Sequence, residues 1–167
     1  MSKNNIILCG FMCCGKSTVG RHLAKLTKRD FIDTDAYIEE KVGLTVSEIF
    51  RTYSEAFFRE LEKECVNEII KYSNCVIATG GGTILSPCNA FMLKGFGKIV
   101  FLDVPFDVVL TRIYNDFSRP LVEKLDKIAL KDLFEDRLAK YQACADMIID
   151  ANCNCEKICE DIMACSK

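Results

Sequence analysis

The chain has 167 residues, half of them hydrophobic and 28% charged, with 22 Lys and Arg against 24 Asp and Glu, a net charge of −2. This is the balance of one globular domain spanning 1–167 and not of a disordered chain. The weak acidity excludes attachment to nucleic acid or a membrane surface through bulk charge, and no apolar run reaches the ~18 residues of a membrane span. The opening Met1-Ser2-Lys3-Asn4-Asn5 has no signal-peptide layout, so a cytoplasmic protein is expected, and separately one that acts as a monomer.

The 11 cysteines raise the question of a disulfide scaffold, but such scaffolds are short, secreted and loop-rich. Here Cys9, Cys65, Cys75 and Cys144 fall in apolar or helical stretches, where a reduced thiol packs as a small hydrophobe. Cys153, Cys155 and Cys159 lack the spacing of paired C-x-x-C arms, so a structural zinc site is not expected. The single histidine, His22, rules out any two-histidine mechanism.

In chain order, Ile6-Ile7-Leu8-Cys9 reads as a buried strand and Ser17 to Lys28 as a helix. Phe31-Ile32 is a short strand ending at Asp33, and Thr45-Val46-Ser47-Glu48 has the capping-box pattern that starts a helix. Ser54 to Tyr72 repeats apolar residues at helical spacing beside a charged face. Cys75-Val76-Ile77-Ala78 is a further buried strand, followed by Gly80-Gly81-Gly82 and by Ser86-Pro87, a cap and first helical position. Strand Lys98 to Leu102, helices Pro105 to Ile113 and Lys127 to Ala143, strand Met147-Ile148-Ile149 and a last helix complete the chain. Strands alternating with helices predict an α/β fold, three layers α/β/α around a central five-stranded parallel sheet. The polar stretch between the helices on either side of Asn115 to Lys124 is where a lid is expected, over about 112–125, against the plainer reading of a surface connection.

Gly10-Phe11-Met12-Cys13-Cys14-Gly15-Lys16-Ser17 fits G-x-x-x-x-G-K-[ST], between a predicted strand and a predicted helix. Successive backbone N–H groups over Cys13, Cys14, Gly15, Lys16, Ser17 and Thr18 can cradle phosphates at the positive end of the helix. In such a loop the lysine reaches the β- and γ-phosphates and the hydroxyl of the following residue ligates Mg²⁺. The loop alone does not choose among switches, motors and kinases. The short chain and the lack of a basic surface favour a small-molecule phosphotransferase.

With the phosphate loop, Asp33-Thr34-Asp35, Phe58-Arg59 with Glu62, Gly80-Gly81-Gly82, Arg119-Pro120-Leu121 and Arg137 followed by Tyr141, the chain resembles the shikimate kinases nearly end to end. The resemblance implies a P-loop kinase fold with a lid, ATP and shikimate as substrates, Mg²⁺ as cofactor, and transfer of the γ-phosphoryl group to the 3-hydroxyl of shikimate. It implies that Ser17 and Asp33 hold Mg²⁺ and that Asp35 binds the hydroxyls and orients or deprotonates the attacking one. Asp33 and Asp35 follow a strand expected to lie beside the phosphate-loop strand. The alternative for Asp33 is a plain helix cap.

By the same resemblance Arg59, fixed by Glu62, and Arg137 clamp the substrate carboxylate, where the alternative for Arg59 is a solvated helix residue with an i+3 partner. Gly80, Gly81 and Gly82 meet the substrate hydroxyls and ring, and Phe50 and Phe58 wall its apolar face or belong to the core. Arg119, in the lid, reaches the transferring phosphoryl group, so Lys16, Asp35 and Arg119 form the catalytic set. Arg112 lies against adenine, near the turn Asp150 to Asn154. Competing readings are a kinase for gluconate or a nucleoside monophosphate, and a non-catalytic nucleotide-binding protein.

One departure is Cys13, where the family commonly has glycine. A positive φ there would cost on the order of 1 kcal/mol. Exposed thiols at Cys13 and Cys14 beside Lys16 would be targets for oxidation.

Overall fold

The computed structural model describes residues 4–115 and 126–165. Five strands form one parallel sheet: β1 (Asn5–Cys9), β2 (Asp30–Asp33), β3 (Cys75–Ala78), β4 (Gly97–Asp103) and β5 (Met147–Asp150), in the order β2-β3-β1-β4-β5. Ile7 pairs with Ile77 of β3 on one side and Ile99 of β4 on the other. Every residue of β1 and β3 is buried. Successive strand residues point to opposite faces, so both faces of these strands must be covered.

Leu8 lies under α1 (Lys16–Thr27), where a Cβ on Gly20 would come within 3.4 Å of its Cδ1. The next residue, Cys9, pairs with Phe101, whose ring stacks on Tyr141 of α7 (Lys127–Cys144) at 5.4 Å. Helices on both faces give the expected three layers. The remaining helices are α2 (Thr34–Val42), α3 (Val46–Thr52), α4 (Glu55–Ile69), α5 (Pro87–Lys94), α6 (Phe106–Tyr114) and α8 (Cys155–Cys165), with a 3₁₀ turn over Thr83–Leu85. None of the described helices is long and apolar enough to cross a membrane.

Local chemistry explains the boundaries. Thr45 accepts from the Glu48 backbone while the Glu48 carboxylate accepts from the Thr45 N–H at 2.8 Å, a capping box of about 1 kcal/mol. Ser86 caps α5 with Pro87 at its first position. Helix α4 stops at Ile69, short of the expected Tyr72, whose carbonyl instead accepts from the Asn5 side chain.

One expectation is corrected: β2 does not lie beside β1, because β3 stands between them. Strand β3 is apolar and buried throughout, whereas Asp30 is exposed and the rest of β2 half-buried, as suits a sheet edge. The chain passes from β3 on one side of β1 to β4 on the other. Such a switch opens a crevice at the carboxyl ends of the strands.

Candidate active site

The crevice begins where β1 ends. Gly10 takes φ 147°, and a Cβ there would lie 2.9 Å from the Leu102 carbonyl oxygen, so the turn demands glycine. Gly15, φ 101°, caps α1 without a side-chain hydrogen bond, which leaves the first-turn N–H groups of the helix turned to the cleft. Cys13 adopts φ 59°, the left-handed conformation anticipated from its place in the loop. Its carbonyl accepts from Arg112 Nη1 at 3.1 Å, which holds that arginine over the loop. Lys16 folds back so that Nζ donates to the Gly10 and Phe11 carbonyls, both at 2.8 Å.

The expectation of an exposed Cys14 thiol is corrected. Cys14 is 2% exposed, packed into the core with its Sγ 3.7 Å from Lys16 Nζ. All 11 cysteines are unbridged, and no three His, Cys, Asp or Glu among the described residues could hold a metal ion together.

The loop floors a cleft of about 450 Å³. Asp33, Asp35, Thr79 and Gly81 form its wall on the β2–β3 side, and Arg112, Ala151, Cys153 and Ile158 line it elsewhere. The turn after β5, expected near the adenine, thus contributes Ala151 and Cys153.

Asp33 caps a helix and also faces the phosphate loop. Its Oδ1 caps α2 by accepting from the Asp35 N–H at 3.1 Å, and its Oδ2 accepts from the Ser17 hydroxyl at 2.5 Å. A hydroxyl and a carboxylate oxygen at the cleft wall are the hard oxygen donors that Mg²⁺ takes, so these residues fit that ion.

Around Gly80-Gly81-Gly82 the structure gathers residues far apart in sequence. A Cβ on Gly82 would fall on the Arg59 guanidinium, 2.6 Å from Cζ, and a Cβ on Gly80 would strike the Asp35 carboxylate. Arg137 Nη1 lies 3.7 Å from where a Cβ of Gly81 would be. None of the three glycines has positive φ. At Gly80 and Gly82 the absence of a side chain makes room for functional side chains of the protein itself.

Arg59 is held from both ends, at 2.6 Å by Glu62 and 2.8 Å by Glu55. Glu62 is 1% exposed, and its other oxygen accepts from the buried Thr83 hydroxyl at 2.6 Å. Burial works to lower the Arg59 pKa, but the hydrogen bonds to Glu62 and Glu55 outweigh it and the net shift is upward. Arg137 sits over the Phe11 ring at 5.8 Å. Tyr141 donates to the Gly81 carbonyl at 2.5 Å, and burial pushes its pKa well above the usual tyrosine range, which keeps it a donor. The Gly80 N–H donates to the buried Thr34 hydroxyl at 2.8 Å.

Thr34 and Tyr141 stand in the motifs read from the sequence but carry no role there, and Thr83 is not in them at all. Their partners lie 46, 21 and 60 residues away, beyond the reach of any local pattern. Phe58 is 4% exposed and packs on Phe50 at 4.9 Å, which makes it part of the core. Arg119 and positions 116–125 of the expected lid lie outside the described residues.

The sequence profile of the shikimate kinase family matches residues 12–167. A shikimate kinase of Xylella fastidiosa is 41% identical over 146 residues, 87% of this chain and 81% of that protein. One of Clostridium botulinum is 40% identical over 150 residues, 89% of this chain and 88% of that protein. Among solved structures, the shikimate kinase of Acinetobacter baumannii in complex with shikimate superposes with a TM-score of 0.91 at 37% identity, over 98% of this chain and 92% of that one. A gluconokinase of Sinorhizobium meliloti shares the fold at a TM-score of 0.64 and 16% identity, over 98% of this chain and 91% of that one.

Proposed function

The chain belongs to the shikimate kinase family, and from that premise we propose how its own residues carry out the reaction. The activity is transfer of the ATP γ-phosphoryl group to the 3-hydroxyl of shikimate, giving shikimate 3-phosphate and ADP. The observation that carries the assignment of residues is the convergence of Asp35, Arg59 and Arg137 on one glycine turn at the rim of the phosphate-loop cleft. A carboxylate base beside two guanidinium groups suits a small acceptor that is both a carboxylate and an alcohol. It does not suit a neutral sugar.

The loop N–H groups from Cys13 to Thr18 bind the ATP phosphates at the open N-terminus of α1. Lys16, which now satisfies its ammonium on the Gly10 and Phe11 carbonyls, exchanges those partners for β- and γ-phosphate oxygens. Ser17 and Asp33 hold Mg²⁺, which when bound neutralises phosphate charge. Arg112, which lines the cleft, packs against the adenine. Arg59, preset by Glu62, and Arg137 grip the shikimate carboxylate. The backbone of Gly80, Gly81 and Gly82 meets its ring and hydroxyls. Asp35 orients the attacking hydroxyl and takes its proton on a carboxylate oxygen. Arg119, on a lid over about 112–125, stabilises charge on the γ-phosphoryl oxygens and helps to exclude water.

We assign the activity to the whole of 1–167 as one kinase domain, working in the cytoplasm as a monomer without nucleic acid or membrane. The net charge of −2 supports a setting without nucleic acid or an anionic membrane surface.

A coupled ADP-release assay with MgATP, offering shikimate, quinate, gluconate and AMP, tests the assignment. Turnover on shikimate alone is expected. Asp35→Ala is expected to lower kcat roughly 10²–10⁴-fold, the range of a lost general base. Arg59→Ala is expected to raise KM for shikimate while MgADP binding is retained. Turnover on gluconate or AMP in place of shikimate overturns the acceptor assignment.

A further inference from the structure

The cysteines of this chain divide sharply by environment. Cys9, Cys65 and Cys159 are buried, and that burial pushes their thiols up to about 12, where they are inert. Cys14, although near Lys16, is shut into the core. Three other thiols line the nucleotide cleft: half-buried Cys13 on the phosphate loop, and Cys153 and Cys155 at the turn into α8. Cys155 stands one helical turn before buried Cys159 on α8. Cys153 is exposed, and its Sγ has only a long 3.6 Å contact with the Asp150 carbonyl. Arg112 donates to the Cys13 carbonyl at 3.1 Å and Lys16 follows on the same loop, so positive charge stands beside Cys13 and favours an anionic reagent there, while the cleft's carboxylates, Asp33 and Asp35, belong to its β2–β3 wall.

We propose that the nucleotide cleft is also a thiol-modification site, where Cys13 and Cys153 form mixed disulfides with a small anionic disulfide and bound nucleotide blocks the reaction. The inference rests on the nucleotide-binding reading of this cleft. In the step, the cysteine thiolate attacks one sulfur of the reagent. The reagent S–S bond breaks as the protein–reagent S–S bond forms, the second half of the reagent leaves as a thiolate, and that thiolate takes up the proton the cysteine gave up. No further oxidant is needed, and an added thiol reverses the step. An adduct on Cys13 would stand among the loop N–H groups, and one on Cys153 at the turn lining the same cleft, so each competes with nucleotide for that space.

The test uses the reduced full chain, oxidised glutathione as the probe, and peptide-resolved mass spectrometry over time. MgADP is added at ten times the Kd found by calorimetry on the same preparation. Adducts are expected at Cys13 and Cys153, and also at Cys88 and Cys165, which are exposed and do not line the cleft. MgADP at that concentration leaves about one cleft in eleven empty, so modification of Cys13 and Cys153 slows roughly tenfold while Cys88 and Cys165 are unaffected. Phosphotransfer falls as the Cys13 adduct accumulates and returns with dithiothreitol. The inference is overturned if Cys88 and Cys165 react while Cys13 and Cys153 do not. It is equally overturned if Cys13 and Cys153 react at a rate indifferent to MgADP that calorimetry shows to be bound. No MgADP binding by calorimetry overturns the nucleotide reading itself, and this inference with it.

Discussion

Gly82→Ala places one methyl group against the Arg59 guanidinium, and its effect follows from distances. The new Cβ would overlap Arg59 Nη1, the atom that donates to Glu62, and would stand 2.6 Å from Cζ and 2.8 Å from Nη2. Carbon atoms pack at about 3.5 Å or more, so the guanidinium must retreat by at least about 1 Å, and Nη1 by more. Because Nη1 is the atom displaced most, its 2.6 Å bond to Glu62 cannot keep its geometry. Glu62, 1% exposed, keeps the Thr83 hydroxyl but loses its nearest cation. A charge-assisted hydrogen bond is worth about 1.5–3 kcal/mol, and the one-third exposure of Arg59 reduces this to about 1–2 kcal/mol.

For a domain of this length the expected fall in Tm is roughly 3–6 °C by calorimetry. Displacing a substrate-holding group by about 1 Å lowers kcat/KM on the order of 10²-fold, here through KM for shikimate, with MgADP binding unchanged. Gly81→Ala is the internal control, because its Cβ would make only ordinary contacts of 3.7–3.9 Å, and its Tm should hold within about 1 °C. A Gly82→Ala protein with wild-type Tm and kcat/KM for shikimate within about twofold of wild type would refute the reasoning.

Cys13→Gly relieves about 1 kcal/mol of left-handed strain at φ 59° against about 0.5 kcal/mol of extra chain entropy, so denaturant unfolding should show a gain near 0.5 kcal/mol. Tyr141→Phe strips the donor from the Gly81 carbonyl and should cost about 1 kcal/mol at pH 7, read by the same method. Because the folded-state pKa of Tyr141 is raised, its contribution is full below the unfolded value near 10 and is lost as pH climbs above it. The difference between wild type and Tyr141→Phe should therefore narrow in alkali. Asp103 has its pKa raised by burial and then by Asp150, so ionising it favours the unfolded chain above the unfolded pKa near 4. Asp103→Asn should raise Tm slightly at pH 7, and the gain should vanish as pH falls below about 4.

Several features of the protein were legible in the sequence because they depend on local periodicity and local stereochemistry. The buried runs Ile6–Cys9 and Cys75–Ala78 could only be strands covered on both faces. The Thr45–Glu48 box and Ser86-Pro87 marked helix starts through bonds within four residues. The phosphate loop announced itself because its glycines answer to backbone geometry, and the left-handed Cys13 could be anticipated on the same ground. Tertiary structure alone decided which strand stands beside β1, since the pairing of β3 between β1 and β2 depends on how completely each strand is buried.

It also decided that Cys14 faces the core and Cys13 the cleft, and that Thr34, Thr83 and Tyr141 hold the glycine turn. The glycines at 80 and 82 show the difference most clearly. Composition indicates that something must approach closely there. Folding brings Asp35 and Arg59 to the turn from 45 and 23 positions away, and a contact at that range leaves no periodic trace in the chain.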